Sequence, residues 1–246
     1  MKARLLLPLV FVLALLPRLA QAQPLVADLS DHLIAITAGF AGTDVLLFGA
    51  TEGEGDVIVI LRGPDAPVVV RRKTRAAGIW VNTERIVFTG APAFYRVAAS
   101  KPLDEIANAA LRTRHQLGVE QLRITPEREL TPQKLDNFRQ GLLRNKQRED
   151  LYSSEVGKVT FLGPRLFRTR FYLPANVPPG SYTVEVLLVR NNQVIAGQTT
   201  PMFVSKTGIG ADVYDFAHTH SAVYGLIAVL IAVSTGWAAG TVFRKA

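Results

Sequence analysis

The chain has 246 residues, 48% of them hydrophobic, with 28 Lys and Arg against 20 Asp and Glu and a formal net charge of +8. It has no cysteine, which excludes disulfide staples, thiolate metal sites and cysteine nucleophiles together. Setting aside Lys2, Arg4, Arg18, Arg244 and Lys245 in the two apolar ends leaves 23 basic against 20 acidic residues, too even a balance to argue for nucleic-acid binding.

Met1-Lys2-Ala3-Arg4 is a short basic segment, and Leu5 to Leu16 is almost purely apolar. Pro17 breaks that run, and Ala20-Gln21-Ala22 supplies the small residues a signal peptidase reads. The pattern predicts a secretory signal peptide over 1–22, with the mature chain starting near Gln23. Twelve apolar residues are too few to span about 30 Å of hydrocarbon as an uncleaved anchor. About 195 residues remain between the two apolar ends, enough for one large domain or two small ones.

From Leu33 to Ser100, short apolar runs alternate with Gly, Pro, Asp and Asn. Strands are predicted over Leu33–Thr37, Asp44–Ala50, Asp56–Arg62, Pro67–Arg72, Gly78–Val81, Arg85–Thr89 and Phe94–Ala98. Many short strands at regular spacing point to an antiparallel sandwich or barrel over 23–100. The basic run Arg71-Arg72-Lys73-Thr74-Arg75 reads as a charged hairpin loop kept soluble, or as a patch that meets anionic lipid, acidic polysaccharide or a partner's carboxylates.

The period then changes, giving a helical segment over 101–151. Ser100 is placed to cap a helix carrying Leu103, Ile106, Ala107, Ala110, Arg114 and Leu117, with Gly118 as its stop. Thr131-Pro132 opens a second helix with Leu135, Phe138 and Leu142 on one face. Its charged face (Lys134, Arg139, Arg144, Lys146, Arg148, then Glu149 and Asp150) is expected to be solvated.

A second β region follows over 152–206. Thr183–Arg190 and Gln193–Val204 flank Asn191-Asn192, a pair that tolerates left-handed backbone and suits a two-residue hairpin turn. Pro179-Gly180-Ser181-Tyr182 before a strand is similar to the corner of immunoglobulin-like sandwiches, where a tyrosine bonds back to the backbone. This region is too short for a complete sandwich. It is either a reduced domain or the completion of the first sheet, with the helices as an insertion.

Chemistry-bearing residues cluster only in the juxtamembrane segment, 207–221. Asp212, Asp215, His218 and His220 offer carboxylate and imidazole ligands for zinc or copper. The simpler reading is an interfacial segment with Tyr214, Phe216 and Tyr224 at the lipid boundary. His32 and His115 stand alone, and Arg165, Arg168 and Arg170 form a sparser basic group. No P-loop, dinucleotide fingerprint, HExxH or GxSxG is present, so no catalytic residue and no cofactor is assigned.

Ala222 to Phe243 carries no charge across 22 positions, long enough as a helix to cross a bilayer, and Arg244-Lys245 follows as a cytoplasmic stop in the tail 244–246. Ala228, Ala232, Gly236 and Gly240 fall at successive i+4 positions and would let another helix approach closely, in a self-association or against a membrane partner.

Three features together, the leader, the Gly180-Ser181-Tyr182 corner, and the run Val213-Tyr214-Asp215-Phe216-Ala217-His218 continuing through Tyr224-Gly225-Leu226 to Gly236-Trp237, carry a resemblance. The chain is similar to the alphaproteobacterial putative transmembrane protein family over nearly its whole length. That resemblance implies the layout and an accessory role beside a polytopic transporter, a sulfite-exporter-type permease. The reading is then a mainly β protein: immunoglobulin-like antiparallel β-sandwich regions, a two-helix segment between them, and one C-terminal transmembrane helix at 222–243. It is expected to sit in the bacterial inner membrane with its bulk in the periplasm, as a non-enzymatic interaction protein. An envelope ligand- or metal-binding subunit is the alternative reading, and an envelope enzyme the third.

Overall fold

The computed structural model describes residues 24–76 and 78–243, with side chains for all of these except 209–212, 215 and 241–243. The expected leader over 1–22 and tail over 244–246 lie outside the described residues. In chain order the strands are β1 (Leu25–Leu29), β2 (Leu33–Ile36), β3 (Gly42–Thr51), β4 (Asp56–Arg62), β5 (Asp65–Ala76), β6 (Ile79–Pro92) and β7 (Tyr95–Ala99). Then come α1 (Leu103–Ile106), α2 (Ala109–His115), a 3-10 turn at Val119–Gln121, β8 (Thr125–Pro126) and α3 (Pro132–Arg148). The chain returns through β9 (Gly157–Lys158), β10 (Thr160–Phe161), β11 (Leu166–Pro174), β12 (Gly180–Arg190) and β13 (Gln193–Lys206) to α4 (Ile209–Thr219) and α5 (Ser221–Phe243). The protein is mainly β, as its short apolar runs predict.

The strands form a four-stranded sheet ordered β1-β3-β11-β10, a six-stranded sheet ordered β2-β13-β12-β4-β7-β9, and a three-stranded sheet ordered β5-β6-β8. Pairing is antiparallel except between β13 and β2 and between β7 and β9. Strands from before and after the helices pair directly: β11 with β3, β12 with β4 and β13 with β2. Of the two arrangements the sequence left open, the later strands complete the earlier sheets.

Alternation explains how the first two sheets stack. On β11, Phe167, Phe171 and Leu173 point inward while Leu166, Arg168, Arg170 and Tyr172 point out. Gln198 of β13 crosses between the sheets, accepting from the Ala27 backbone N–H (2.8 Å) and donating to the Ala27 carbonyl (2.7 Å). On β4 the five residues Val57 to Leu61 are all buried, so both faces of that strand are covered. One face meets the four-stranded sheet. Over the other lie α2 and the residues after it, where the Tyr95 hydroxyl donates to the Gln116 carbonyl and accepts from the Gly118 N–H. Gly49 leaves room for a core ring, since a Cβ there would stand 2.5 Å from the Phe167 ring.

Two local devices follow the sequence reading closely. The Tyr182 hydroxyl donates to the Pro178 carbonyl at 2.6 Å, closing the corner that leads into β12. Asn191 and Asn192 both take left-handed backbone, with φ of 50° and 60°, and turn β12 into β13.

Other expectations are corrected. The helix predicted through Leu117 is broken into α1 and α2 because Ala107 is extended and the Asn108 side chain accepts from the Leu111 N–H (2.9 Å), starting a new helix. Gln116, in left-handed backbone, ends α2 before Gly118 is reached. Ser100 does not cap: its hydroxyl donates to Asp56 (3.0 Å) and accepts from the Val57 N–H (3.1 Å). The two strands predicted over Gly78–Val81 and Arg85–Thr89 are one strand, β6. The polar Asn82-Thr83-Glu84 stretch stays paired through a register shift, and the Thr74 and Thr83 hydroxyls share a 2.6 Å hydrogen bond. The run Arg71–Arg75 lies on β5 and not in a loop. The charged face of α3 is partly engaged: Lys134 reaches Glu84 at 2.6 Å, and Arg139 donates to the carbonyls of Glu120 and Leu122. β1 and β8 were not anticipated.

Candidate interaction surface

The outer face of the four-stranded sheet has no element packed on it among the described residues. Register fixes its composition: Val26 and Leu166 flank Ala50, and Asp28 and Arg168 flank Phe48. Val26, Phe48, Leu162 and Leu166 are each about half exposed, at 54, 47, 57 and 57%. Together they border a shallow, almost wholly apolar groove of about 350 Å³, whose floor includes Ala27, Gly49 and Phe167. The exposed Arg168 and Arg170 continue along β11 from this apolar end, with Tyr172 beyond them. A contiguous apolar patch with Asp28 on one edge and Arg168 on the other has the chemistry of a protein-binding surface, because burying it against a partner removes apolar area from water.

The sequence signal for this face is legible afterwards. Val45-Leu46-Leu47-Phe48 is a continuous apolar run in a strand that needs apolar residues only at Val45 and Leu47 for the core. Leu166 likewise stands at an outward position. Arg168 and Arg170, read as a basic group, do share one sheet face, while Arg165 lies just before the strand.

The remaining chemistry-bearing residues are dispersed. His32 Nε2 lies 3.1 Å from Asp28, both exposed, and His115 Nδ1 lies 3.4 Å from Glu185 beneath α2. His218 Nδ1 donates to the Tyr214 carbonyl at 2.8 Å, its ring 4.0 Å from the Tyr214 ring, while His220 stacks on Phe216. His218 lies within α4 and His220 caps its end, and each imidazole packs on a different aromatic ring. The side chains of Asp212 and Asp215 lie outside the described residues. Among the described residues no three His, Asp or Glu converge.

A cleft of about 760 Å³ runs between α1, the 3-10 turn and β9, with Lys101, Asp104, Arg112, Glu120 and Lys158 on its walls. Near it the Ser100 hydroxyl is already engaged by Asp56 and the Val57 N–H. Three phenols are buried in the body. Burial pushes Tyr95 up to about 12 and raises Tyr152 and Tyr182 further above the ordinary range. Their hydroxyls bond to backbone carbonyls, as structural tyrosines do. The Glu84 carboxyl is held below the usual range, first by the hydrogen bond from Lys134 and further by the charges of Lys134, Arg72 and Arg128.

After the body, Ser221–Gly240 is a 20-residue stretch of mean hydropathy 1.9 with no part of it buried, long and apolar enough to cross a membrane. Ala228, Ala232, Gly236 and Gly240 are all exposed along it. A mainly β body followed by such a helix defines the class of a membrane-anchored protein. Over residues 24–245 the chain matches the family described as putative transmembrane protein (Alph_Pro_TM), and it belongs to that family. No curated protein and no solved structure matches it.

Proposed function

We propose that this is a non-enzymatic interaction module, held by α5 in the bacterial inner membrane with its β body in the periplasm, that binds a polytopic membrane partner. The apolar outer face bordered by Val26, Phe48, Leu162 and Leu166 carries the reading, since a body with no partner gains nothing from leaving it bare. The permease of sulfite-exporter type implied by the family resemblance is the partner class we favour. The Tyr182 corner supports an immunoglobulin-like reading of the sandwich, a fold widely used for recognition. The signal-peptide pattern over 1–22 and the basic pair Arg244-Lys245 after the apolar stretch support the orientation.

The test places a photo-crosslinking phenylalanine derivative at Phe48 in native membranes, with Arg148, exposed on α3, as the control position. A discrete adduct with a polytopic membrane protein is expected at Phe48 alone. A Phe48→Ser, Leu166→Ser double variant should lose that partner without a change in melting temperature. The same adduct pattern at Arg148, or retention of the partner by the double variant, overturns the assignment. For orientation, alkaline phosphatase fused after Thr207 should be active and fused after Ala246 inactive.

A further inference from the structure

The β5–β6 hairpin ends in a feature that the partner-binding face leaves unexplained. Ile79 and Trp80, at its tip beside Gly78, are 65 and 68% exposed, among the most exposed large apolar side chains of the body. The register places Arg75 opposite Trp80, Lys73 opposite Asn82 and Arg71 opposite Arg85. Directly opposed residues project from the same face of a hairpin. One face therefore carries Arg71, Lys73, Arg75, Arg85 and Trp80. None of these four cations has an acidic partner within ion-pair distance among the described residues.

The other face is accounted for. There Arg72 stands 3.6 Å from Glu84 and over the Phe138 ring at 5.0 Å, and Glu84 holds Lys134, so α3 covers the hairpin as far as Arg72. Beyond Arg72 the hairpin continues for four residues, roughly 13 Å at strand rise, past its last support.

We propose that this tip is a second membrane contact: Trp80 and Ile79 enter the headgroup region of the bilayer while Arg71, Lys73, Arg75 and Arg85 bind anionic lipid headgroups. Three observations select a lipid surface over an acidic protein. The chain carries its own apolar helix, so a bilayer lies within reach of the body. Tryptophan, with an apolar body and a polar N–H, partitions to the level of the headgroups. Unpaired cations behind an apolar tip match the layering of a membrane, apolar below and anionic above. The projecting length suffices to cross a headgroup layer, which is roughly 5–8 Å deep on each side.

The chain has two tryptophans, so Trp237→Phe in the full-length protein leaves Trp80 as its sole indole. That protein is reconstituted into vesicles of phosphatidylcholine alone, or with about 30% phosphatidylglycerol, using acyl chains brominated near the headgroup. Quenching of Trp80 should be at least about twofold greater in the anionic vesicles, with a blue-shifted emission, and should weaken in high salt as the charges are screened. An Arg71→Gln, Lys73→Gln, Arg75→Gln variant should bring quenching down to the phosphatidylcholine level while keeping the far-UV circular dichroism of the parent. The salt comparison needs no charge variant, so it decides the matter even if the triple variant folds poorly. Emission that stays that of a water-exposed indole in both vesicles, or quenching independent of lipid charge, overturns the proposal. So does a Trp80 response to soluble poly-glutamate in detergent without a response to brominated lipid, which would assign the tip to an acidic protein.

Discussion

Tyr182 shows how much a single side chain holds in this fold. Its ring is buried against Phe94, with centroids 6.0 Å apart, and its hydroxyl ties the Pro178 carbonyl to the start of β12. Tyr182→Phe keeps the ring and orphans that carbonyl, which should cost about 1–2 kcal/mol. In a body of this size that lowers the melting temperature by about 2–8 °C, at about 2–4 °C per kcal/mol. Tyr172→Phe is the control, since its exposed hydroxyl makes only a 3.4 Å contact to the Ala41 carbonyl and its loss should be nearly neutral. The same burial sets the alkaline limit. With Tyr95 pushed up to about 12 and Tyr152 and Tyr182 also raised, the unfolded chain ionises first, near the ordinary phenol value of 10. The stability these rings confer is therefore complete below pH 10 and lost as pH climbs from 10 through 12. Thermal unfolding followed by circular dichroism across that window should show the fall. Phenolate absorbance from the three rings should appear with unfolding, and its appearance in the folded protein would contradict this account.

At the scale of elements, the break between α1 and α2 is the informative departure. Leu103, Ile106, Ala110 and Leu117 keep helical spacing through it, and periodicity alone reads one helix. Asn108 decides otherwise, because its side chain satisfies the Leu111 N–H and Ala107 can then leave the helix to be fully buried. Asn108→Ala should destabilise the body by about 1 kcal/mol, the usual loss of an N-cap. Were the helix continuous, the same change would stabilise it by roughly 0.5 kcal/mol, since alanine is the better helix former. The sign of the shift in melting temperature separates the two. The Asn191-Asn192 turn is the opposite case, since both residues adopt the backbone their chemistry favours and nothing distant competes.

For the whole molecule, the question is whether α5 only tethers. The row Ala228, Ala232, Gly236 and Gly240 is exposed, and a Cβ built at Gly236 or Gly240 meets nothing within 4 Å in the single chain. The Ser234 and Thr235 hydroxyls return to the carbonyls of Leu230 and Ile231, so association along this row would rest on close packing. Gly236→Ile with Gly240→Ile keeps the helix apolar and blocks close approach. Cross-linking in membranes should then fall about fivefold or more. Leu226→Ile with Leu230→Ile should leave it unchanged. Equal yields in all three proteins would reduce α5 to an anchor.

Most of what depends on local chemistry was readable from the chain, the Asn108 cap being the exception. The apolar strand β4, the corner at Tyr182, the paired asparagines, the helix opened by Thr131-Pro132 and the uncharged stretch ending at Phe243 each carry their cause within a few residues. Tertiary structure decided the rest. The pairing of β11, β12 and β13 with β3, β4 and β2 joins segments more than a hundred residues apart, and no local pattern encodes which distant edge a strand will meet. The same holds for the candidate surfaces. Phe48 and Leu166 are ordinary strand residues until register makes them diagonal neighbours on a face that no element covers among the described residues. Trp80 and Arg75 become one amphipathic tip only when β5 and β6 pair. Side-chain type and spacing determine what each segment can form. Which apolar faces remain bare depends on the competition among all segments for the same core, and that is settled only in the folded chain.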